Sequence, residues 1–277
     1  MNDQNTNQVK THQKLLEIMD CIHSFCQSNG INYYLIGGSA LGAVRHHGFI
    51  PWDIDIDIAM LRKDYILFKE KFIACNHEHF KYHDHMNTKN FSSGHARVEA
   101  DNCFIYLSPD YYLHPKKESV LVDILPLDSA PDNEHKRIVQ AKKIQILNKI
   151  ISRKQCIIYK NNTLCEIVIK KAIKMILKVV PMRYVEQKQQ MIMMQYNDIP
   201  TKCVCSMASH YSYSKLCMPG EIYGKPQLAS FEGRYYYIPE RIHEYLTRIF
   251  GDDYMQLPPI ENRYRPSENI VKFEQIN

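Results

Sequence analysis

Between residues 37 and 57 the chain runs Gly-Gly-Ser-Ala-Leu-Gly-Ala-Val-Arg and then, after a short loop, Trp-Asp-Ile-Asp-Ile-Asp. Few segments restrict a fold more. Upstream, Tyr33-Tyr34-Leu35-Ile36 reads as a short strand, Gly37-Gly38 as a tight turn, and Ser39 to Arg45 as a helix capped by Ser39. Alternation then predicts a strand in which Asp53, Asp55 and Asp57 project to one face while Ile54, Ile56 and Ile58 enter the core. Carboxylates so close together repel and raise one another's pKa unless a cation neutralises them, and hard oxygen donors in that number suit Mg²⁺ or Mn²⁺. An isolated D-x-D-x-D also describes a half-exposed strand with a solvated acidic face. The glycine turn separates the two readings, because a helix start beside glycines presents N–H groups to a phosphate.

Glycine turn, helix start and carboxylate strand are the parts of a nucleotidyltransferase core. The run from Gly37 to Asp57 resembles the signature of the LicD family of phosphotransferases, which includes fukutin-related proteins. Val122-Asp123-Ile124-Leu125-Pro126-Leu127-Asp128 is similar to that family's second acidic strand. Phe231-Glu232-Gly233, Ile238-Pro239 and the stretch from Gly251 to Pro259 are similar to its C-terminal block, so the resemblance spans residues 10 to 265. One position departs: Ile54 stands where many members carry an acidic residue. Alternation puts it on the face opposite the other carboxylates, so the metal site is spared.

The fold this implies is α+β, a nucleotidyltransferase-like mixed sheet flanked by helices with a helical C-terminal half. Residues 1–130 would form the catalytic core and 131–277 a mainly helical region completing one compact unit. The implied reaction moves phosphocholine, or another phospho-alcohol, from a CDP-linked donor such as CDP-choline to a sugar hydroxyl of a cell-surface glycan, teichoic acid or lipopolysaccharide, and releases CMP. Asp53, Asp55, Asp57 and Asp123 are the expected catalytic carboxylates, with Asp55, Asp57 and Asp123 as ligands of a Mg²⁺ or Mn²⁺ pair that clamps the reacting phosphate. Gly37, Gly38 and Ser39 would hold the diphosphate and Arg45 neutralise it further. A quaternary ammonium binds by cation–π contact, for which Trp52, Tyr34, Tyr106, Tyr111 and Tyr112 are the aromatic candidates. The same core also suits a nucleotidyltransferase acting on a small molecule, and a catalytically silent membrane-surface adaptor is a reading from a different class.

Composition bounds these choices. With 277 residues, 45% of them hydrophobic, the chain can bury one sizeable core. It has no apolar run of membrane-spanning length, and Met1 to Asn7 is polar with no apolar stretch behind it, so a cytoplasmic enzyme is expected. Nine cysteines without a regular framework read as reduced thiols. Cys203-Val204-Cys205 followed by His210 lacks the C-x₂-C spacing of a zinc site, and His77, His79, His83 and His85 read as a polar strand and loop. A net charge of +5 favours anionic ligands weakly and, without clustered aromatic stacking residues, makes no nucleic-acid surface.

Apolar spacing predicts a helix over Val9 to Ser28 stopped by Gly30, a helix over Arg62 to Ala74 and short strands between Phe80 and Leu107 with turns at Ser92-Ser93-Gly94 and Asp101-Asn102. A strand follows over Ser119 to Leu127 carrying Asp123, then helices over Glu134 to Lys149 and Leu164 to Tyr196, interrupted at Pro181. Lys170, Lys174 and Lys178 fall on one stripe of the latter. Such a stripe fits an ordinary solvated face or peripheral contact with an anionic membrane, expected at the inner face where lipid-linked oligosaccharide acceptors lie.

Overall fold

The computed structural model describes residues 3–276 apart from 89, 90, 92, 109–115, 160, 210 and 264–269. Tyr111, Tyr112, Ser92 and His210 therefore lie outside the described residues. Helix α1 (Asp3–Asn29) turns Leu15, Ile18, Met19, Ile22 and Cys26 into the core and stops at Gly30, whose φ of +64° needs no Cβ. Strand β1 (Tyr34–Leu35) leads into α2 (Gly37–Arg45), and β2 (Ile56–Leu61) leads directly into α3 (Arg62–Ala74). Strands β3 (Phe80–His83), β4 (Ala96–Leu107) and β5 (Lys116–Ala130) follow. The second half adds α4 (Glu134–Gln155), α5 (Leu164–Leu177), α6 (Met182–Met193), β6 (Cys203–Cys205), α7 (Tyr213–Leu216) and β7 (Met218–Pro219). The hairpin β8 (Gln227–Phe231) and β9 (Arg234–Ile238), helix α8 (Ile242–Phe250) and strand β10 (Ile270–Gln275) complete it. It is therefore helical with strands interspersed.

The fold is α+β. Its main sheet runs β1-β2-β5-β4-β10, with β3 on β4 and β6 joining β5 to β7. β2 and β5 are parallel and the other pairs antiparallel, so the sheet is mixed. Ile56, Ile58, Val98, Val122 and Ile124 are fully buried beneath it. Alternation fixes this face inward and leaves Asp57 and Asp123 on the opposite one.

Arg62, first residue of α3, makes a two-pronged contact with Asp128 near the end of β5, Nε to Oδ1 at 2.7 Å and Nη2 to Oδ2 at 2.5 Å. Asn197 donates to Asp128 Oδ1 at 2.7 Å, and Gln190 accepts from Arg62 at 3.0 Å. Both charges are buried, so their mutual pairing and these amides replace lost water.

Two local expectations change. Strand pairing begins at Ile56, so Asp53 and Asp55 sit in the extended lead-in rather than in the strand. Helix α2 begins at Gly37 with Ile36 in the cap position, which makes Ser39 an internal residue. Its buried hydroxyl accepts the Asp57 N–H at 2.9 Å and ties the helix to β2.

Candidate active site

In the parallel pair Asp57 lies beside Asp123, and in the neighbouring antiparallel pair Arg97 of β4 lies beside Asp123. Residues adjacent in register share a face, so the sheet alone brings these two carboxylates together. The start of α2 closes one wall. Gly37 adopts φ +52° and gives its N–H to the Tyr245 hydroxyl at 2.9 Å, while Ile36 N–H reaches Asp57 O at 3.1 Å. A Cβ on Gly38 would stand 2.8 Å from Asp53 Oδ2, so only glycine lets that carboxylate settle against the helix start. Asp53 Oδ1 accepts the Ile54 N–H at 3.0 Å, and its backbone carbonyl lies 2.8 Å from His12 Nε2, whose ring stacks on Phe49.

These elements enclose a pocket of about 410 Å³ lined by Asp55, Asp57, Asp123, His95, Tyr211 and Tyr245, with Gly37, Ser93 and Gly94 at its edges. Burial pushes the Asp57 carboxyl up to about 7, reinforced by Asp123 and partly offset by His95. Asp55 is raised well above the usual carboxylate range, first by desolvation deep in this concave surface although its side chain opens to the pocket, then by Asp53, Asp57 and Asp123. Asp53 is raised by desolvation, opposed by its hydrogen bonds to Ile54 and Asp55. Asp123 alone is lowered: burial by itself would raise it, but His95 Nε2 at 3.0 Å and then Arg97 outweigh that cost. Arg97 Nε stands 4.0 Å from Asp123 Oδ1 and its guanidinium lies over the Phe91 ring.

Partners thus outweigh desolvation at Asp123, whereas desolvation wins at Asp53, Asp55 and Asp57. All are hard oxygen donors, the chemistry that a divalent cation such as Mg²⁺ takes. Among the described residues no three His, Cys, Asp or Glu side chains already meet around one point.

Comparison with known proteins decides the family. Residues 30–146 match the family described as LicD/FKTN/FKRP, nucleotidyltransferase domain. Across 257 residues the chain is 30% identical to the lipopolysaccharide cholinephosphotransferase LicD of Haemophilus influenzae, covering 90% of this chain and 91% of that protein. The chain belongs to the LicD family. A shorter stretch of 38 residues is 47% identical to the ribitol 5-phosphate transferase FKRP of human and mouse, covering 14% of this chain and 8% of those proteins.

Within this LicD fold the residues singled out from sequence divide into two groups. Gly37, Asp55, Asp57 and Asp123 line the pocket, with Gly38, Ser39 and Asp53 immediately behind them. Arg45 points elsewhere: its guanidinium donates to the carbonyls of Tyr254 at 2.8 Å and Gln256 at 3.1 Å, anchoring the C-terminal segment to α2. Trp52 lies outside the pocket with Arg263 over its ring at 4.6 Å and His46 against its edge, so a cation already covers it. Tyr34 is buried and donates to Gly224 O, and Tyr106 bonds Glu274 at the far side of the sheet. Cys203 and Cys205 neighbour Cys217, His77 neighbours Cys21 and His83 neighbours Thr88.

Sequence reading missed His95, Tyr211 and Tyr245. Nothing periodic marks them. The register of β4 against β5 places Ala96 and Arg97 beside Ile124 and Asp123, and His95 just ahead of them. That position was readable only once the pairing was known.

Proposed function

We infer that this LicD enzyme transfers phosphocholine, or a closely related phospho-alcohol, from a CDP-linked donor to a sugar hydroxyl of a surface glycan and releases CMP, working at the cytoplasmic face of the membrane. The observation that carries the reading is the in-register Asp57–Asp123 pair set beneath a glycine-started helix in a chain 30% identical to a cholinephosphotransferase over 90% of its length. Asp55, Asp57 and Asp123 would hold Mg²⁺ or Mn²⁺, which when bound would neutralise the diphosphate and lower the pKa of the attacking hydroxyl. Asp123 is kept ionised by His95 and Arg97, so it remains an acceptor throughout the neutral range. Asp53 braces Asp55 through their side-chain contact and sets the lead-in to β2. The start of α2 would present its positive dipole end to the departing nucleotide phosphate, with the Gly37 N–H itself engaged by the Tyr245 hydroxyl. Tyr211 replaces Trp52 as the aromatic surface for choline. Its ring lines the pocket, and Lys215 Nζ, 5.5 Å from its centroid, would have to give way to the quaternary ammonium.

A ribitol- or glycerol-phosphate donor is the second reading, favoured by the local identity to the ribitol 5-phosphate transferase. The test is CMP release from CDP-choline, CDP-ribitol and CDP-glycerol by the full chain with Mg²⁺ or Mn²⁺, with and without glycan, beside Asp55→Ala and Asp57→Ala. Acceptor-stimulated release with CDP-choline that both variants abolish is expected. Release with CDP-ribitol or CDP-glycerol alone selects the second donor, nucleotide transfer to the acceptor selects nucleotidyl transfer, and silence with every donor overturns the transferase reading.

A further inference from the structure

Helix α5 stands out because none of its residues is buried. It is nevertheless well made at its start, where Thr163 Oγ1 accepts the Glu166 N–H at 3.2 Å and Glu166 Oε2 accepts the Thr163 N–H at 2.7 Å. At its end Lys154 of α4 donates to the carbonyls of Leu177 and Val180, both at 2.6 Å. The helix is thus held by its two ends and by Ile173 and Leu177 on its inner side, with its outer side open. That outer side is apolar. At 100° per residue Leu164, Val168 and Met175 fall within one narrow arc, and these three and Val179, in the turn just past the helix end, are 81%, 66%, 71% and 84% exposed.

The lysine stripe changes too. Lys170 is taken by Ile157 O at 3.1 Å and Asn162 Oδ1 at 2.7 Å, so it braces the loop before the helix. Lys171, Lys174 and Lys178 instead border the apolar arc and, with Lys154 and Met175, line a groove of about 790 Å³ between α4, α5 and α6. Among the described residues no carboxylate lines that groove. Gln155, the last residue of α4, belongs to both the groove and the acidic pocket, so the two adjoin.

We propose that α5 docks this enzyme on an anionic lipid bilayer, its apolar arc seated among the acyl chains and Lys171, Lys174 and Lys178 at the headgroups, which brings the acidic pocket to the glycolipid acceptor. The proposal rests on the glycan-transfer reading only for that acceptor. An apolar face bordered by lysines is the amphipathic form that lies in a membrane interface, where each lysine near an anionic leaflet adds to binding. A second copy of the chain fits less well. A two-fold contact through this face would bring the lysine rows of both copies into one interface, and the one carboxylate between residues 164 and 180, Glu166, is engaged in its cap. Charge complementarity selects the lipid surface.

The experiment is flotation of the full chain with phosphatidylcholine vesicles and with vesicles carrying one third phosphatidylglycerol. Binding is expected to rise at least tenfold with the anionic lipid and to fall in high salt. Val168→Ser with Met175→Ser and Val179→Ser, and separately Lys171→Glu with Lys174→Glu and Lys178→Glu, should each lower it at least tenfold. Circular dichroism and CMP release with a water-soluble acceptor should stay unchanged in both variants, because none of these residues lines the acidic pocket. No flotation, equal flotation on neutral vesicles, or variants that float like the parent would overturn the proposal. So would a dimer in sedimentation velocity that the apolar variant abolishes. Flotation does not read transfer, so loss of the transferase reading would leave its result interpretable.

Discussion

Asp57→Asn should make the metal-free protein more stable at alkaline pH while abolishing transfer. The Asp57 carboxyl titrates at about 7 when folded against an ordinary 3.8. Between those values the native state holds a proton that the unfolded chain has released, so stability is full below 3.8 and declines as pH rises through the window. One proton changes stability by up to about 1.4 kcal/mol per pH unit, and integrating from pH 5 to pH 8 gives a loss of about 2–3 kcal/mol. The amide of the variant cannot ionise, so Asp57→Asn should match the parent near pH 4 and exceed it by about 2 kcal/mol at pH 8, once screening by water in the pocket is allowed for. Urea titration of both proteins in chelator at several pH values measures the gap. Saturating Mg²⁺ should then reverse the order at pH 8, because the parent keeps the Asp57 carboxylate that the variant lacks and so binds the ion more tightly. Parallel stability curves for parent and variant, or a variant less stable at pH 8, would refute the reasoning that uncompensated carboxylate charge strains this pocket.

Other outcomes follow from single contacts. Arg62→Ala should cost about 3–5 kcal/mol in urea unfolding by leaving buried Asp128 unpaired, and a second change, Asp128→Asn, should recover part of that; a loss below about 1 kcal/mol would mean the pair carries little. Tyr245→Phe strands the Gly37 N–H, for which about 1–3 kcal/mol of destabilisation is expected, and an unchanged unfolding midpoint would count against it. His95→Ala should lower turnover about 10–100-fold. It should also move the acid limb of the pH profile upward, because Asp123 loses the partner that holds it low, and an unmoved limb would show that His95 does not act through Asp123. Gly38→Ala should displace Asp53 and reduce transfer at least about tenfold while costing about 1–3 kcal/mol, with activity and melting temperature read together.

The signature was legible because its chemistry is local. Alternation places Asp57 on the face opposite Ile56 and Ile58 but carries Asp53 and Asp55 into a strand that begins only at Ile56, whereas the boundaries of α3 at Arg62 and Ala74 follow from spacing alone. Ser39 misled because Ser at a helix start normally caps, whereas the glycine pair let the helix begin two residues earlier and freed that hydroxyl for Asp57. Arg45 and Trp52 misled for a different reason. Their positions in the signature were visible, but their partners Tyr254, Gln256 and Arg263 come from more than two hundred residues away. His95 and Tyr211 carry no periodic mark, and only the pairing of β4 with β5 and the return of the chain before α7 put them in the pocket.

Those distant partners explain why a C-terminal block accompanies the signature. Glu232 Oε1 accepts the Phe49 N–H at 3.1 Å, and its own N–H donates to His47 O at 2.8 Å, so the β8–β9 turn clamps both sides of Gly48. Arg45 ties the end of α2 to the loop at Tyr254, and Tyr245 on α8 receives the first N–H of that helix. The loop from His46 to Asp55 is therefore gripped at its start by residues that touch no carboxylate, and at its end by Ile50 O on Asp53 N–H and by His12 on Asp53 O. Strand pairing positions Asp57 and Asp123 by itself; Asp53 and Asp55 precede the strand and have no such support. Ile50, His12 of α1 and the close approach of Gly38 hold Asp53, and the C-terminal block holds the loop that leads to it, which is why the signature of residues 37–57 is built with contacts from both ends of the chain.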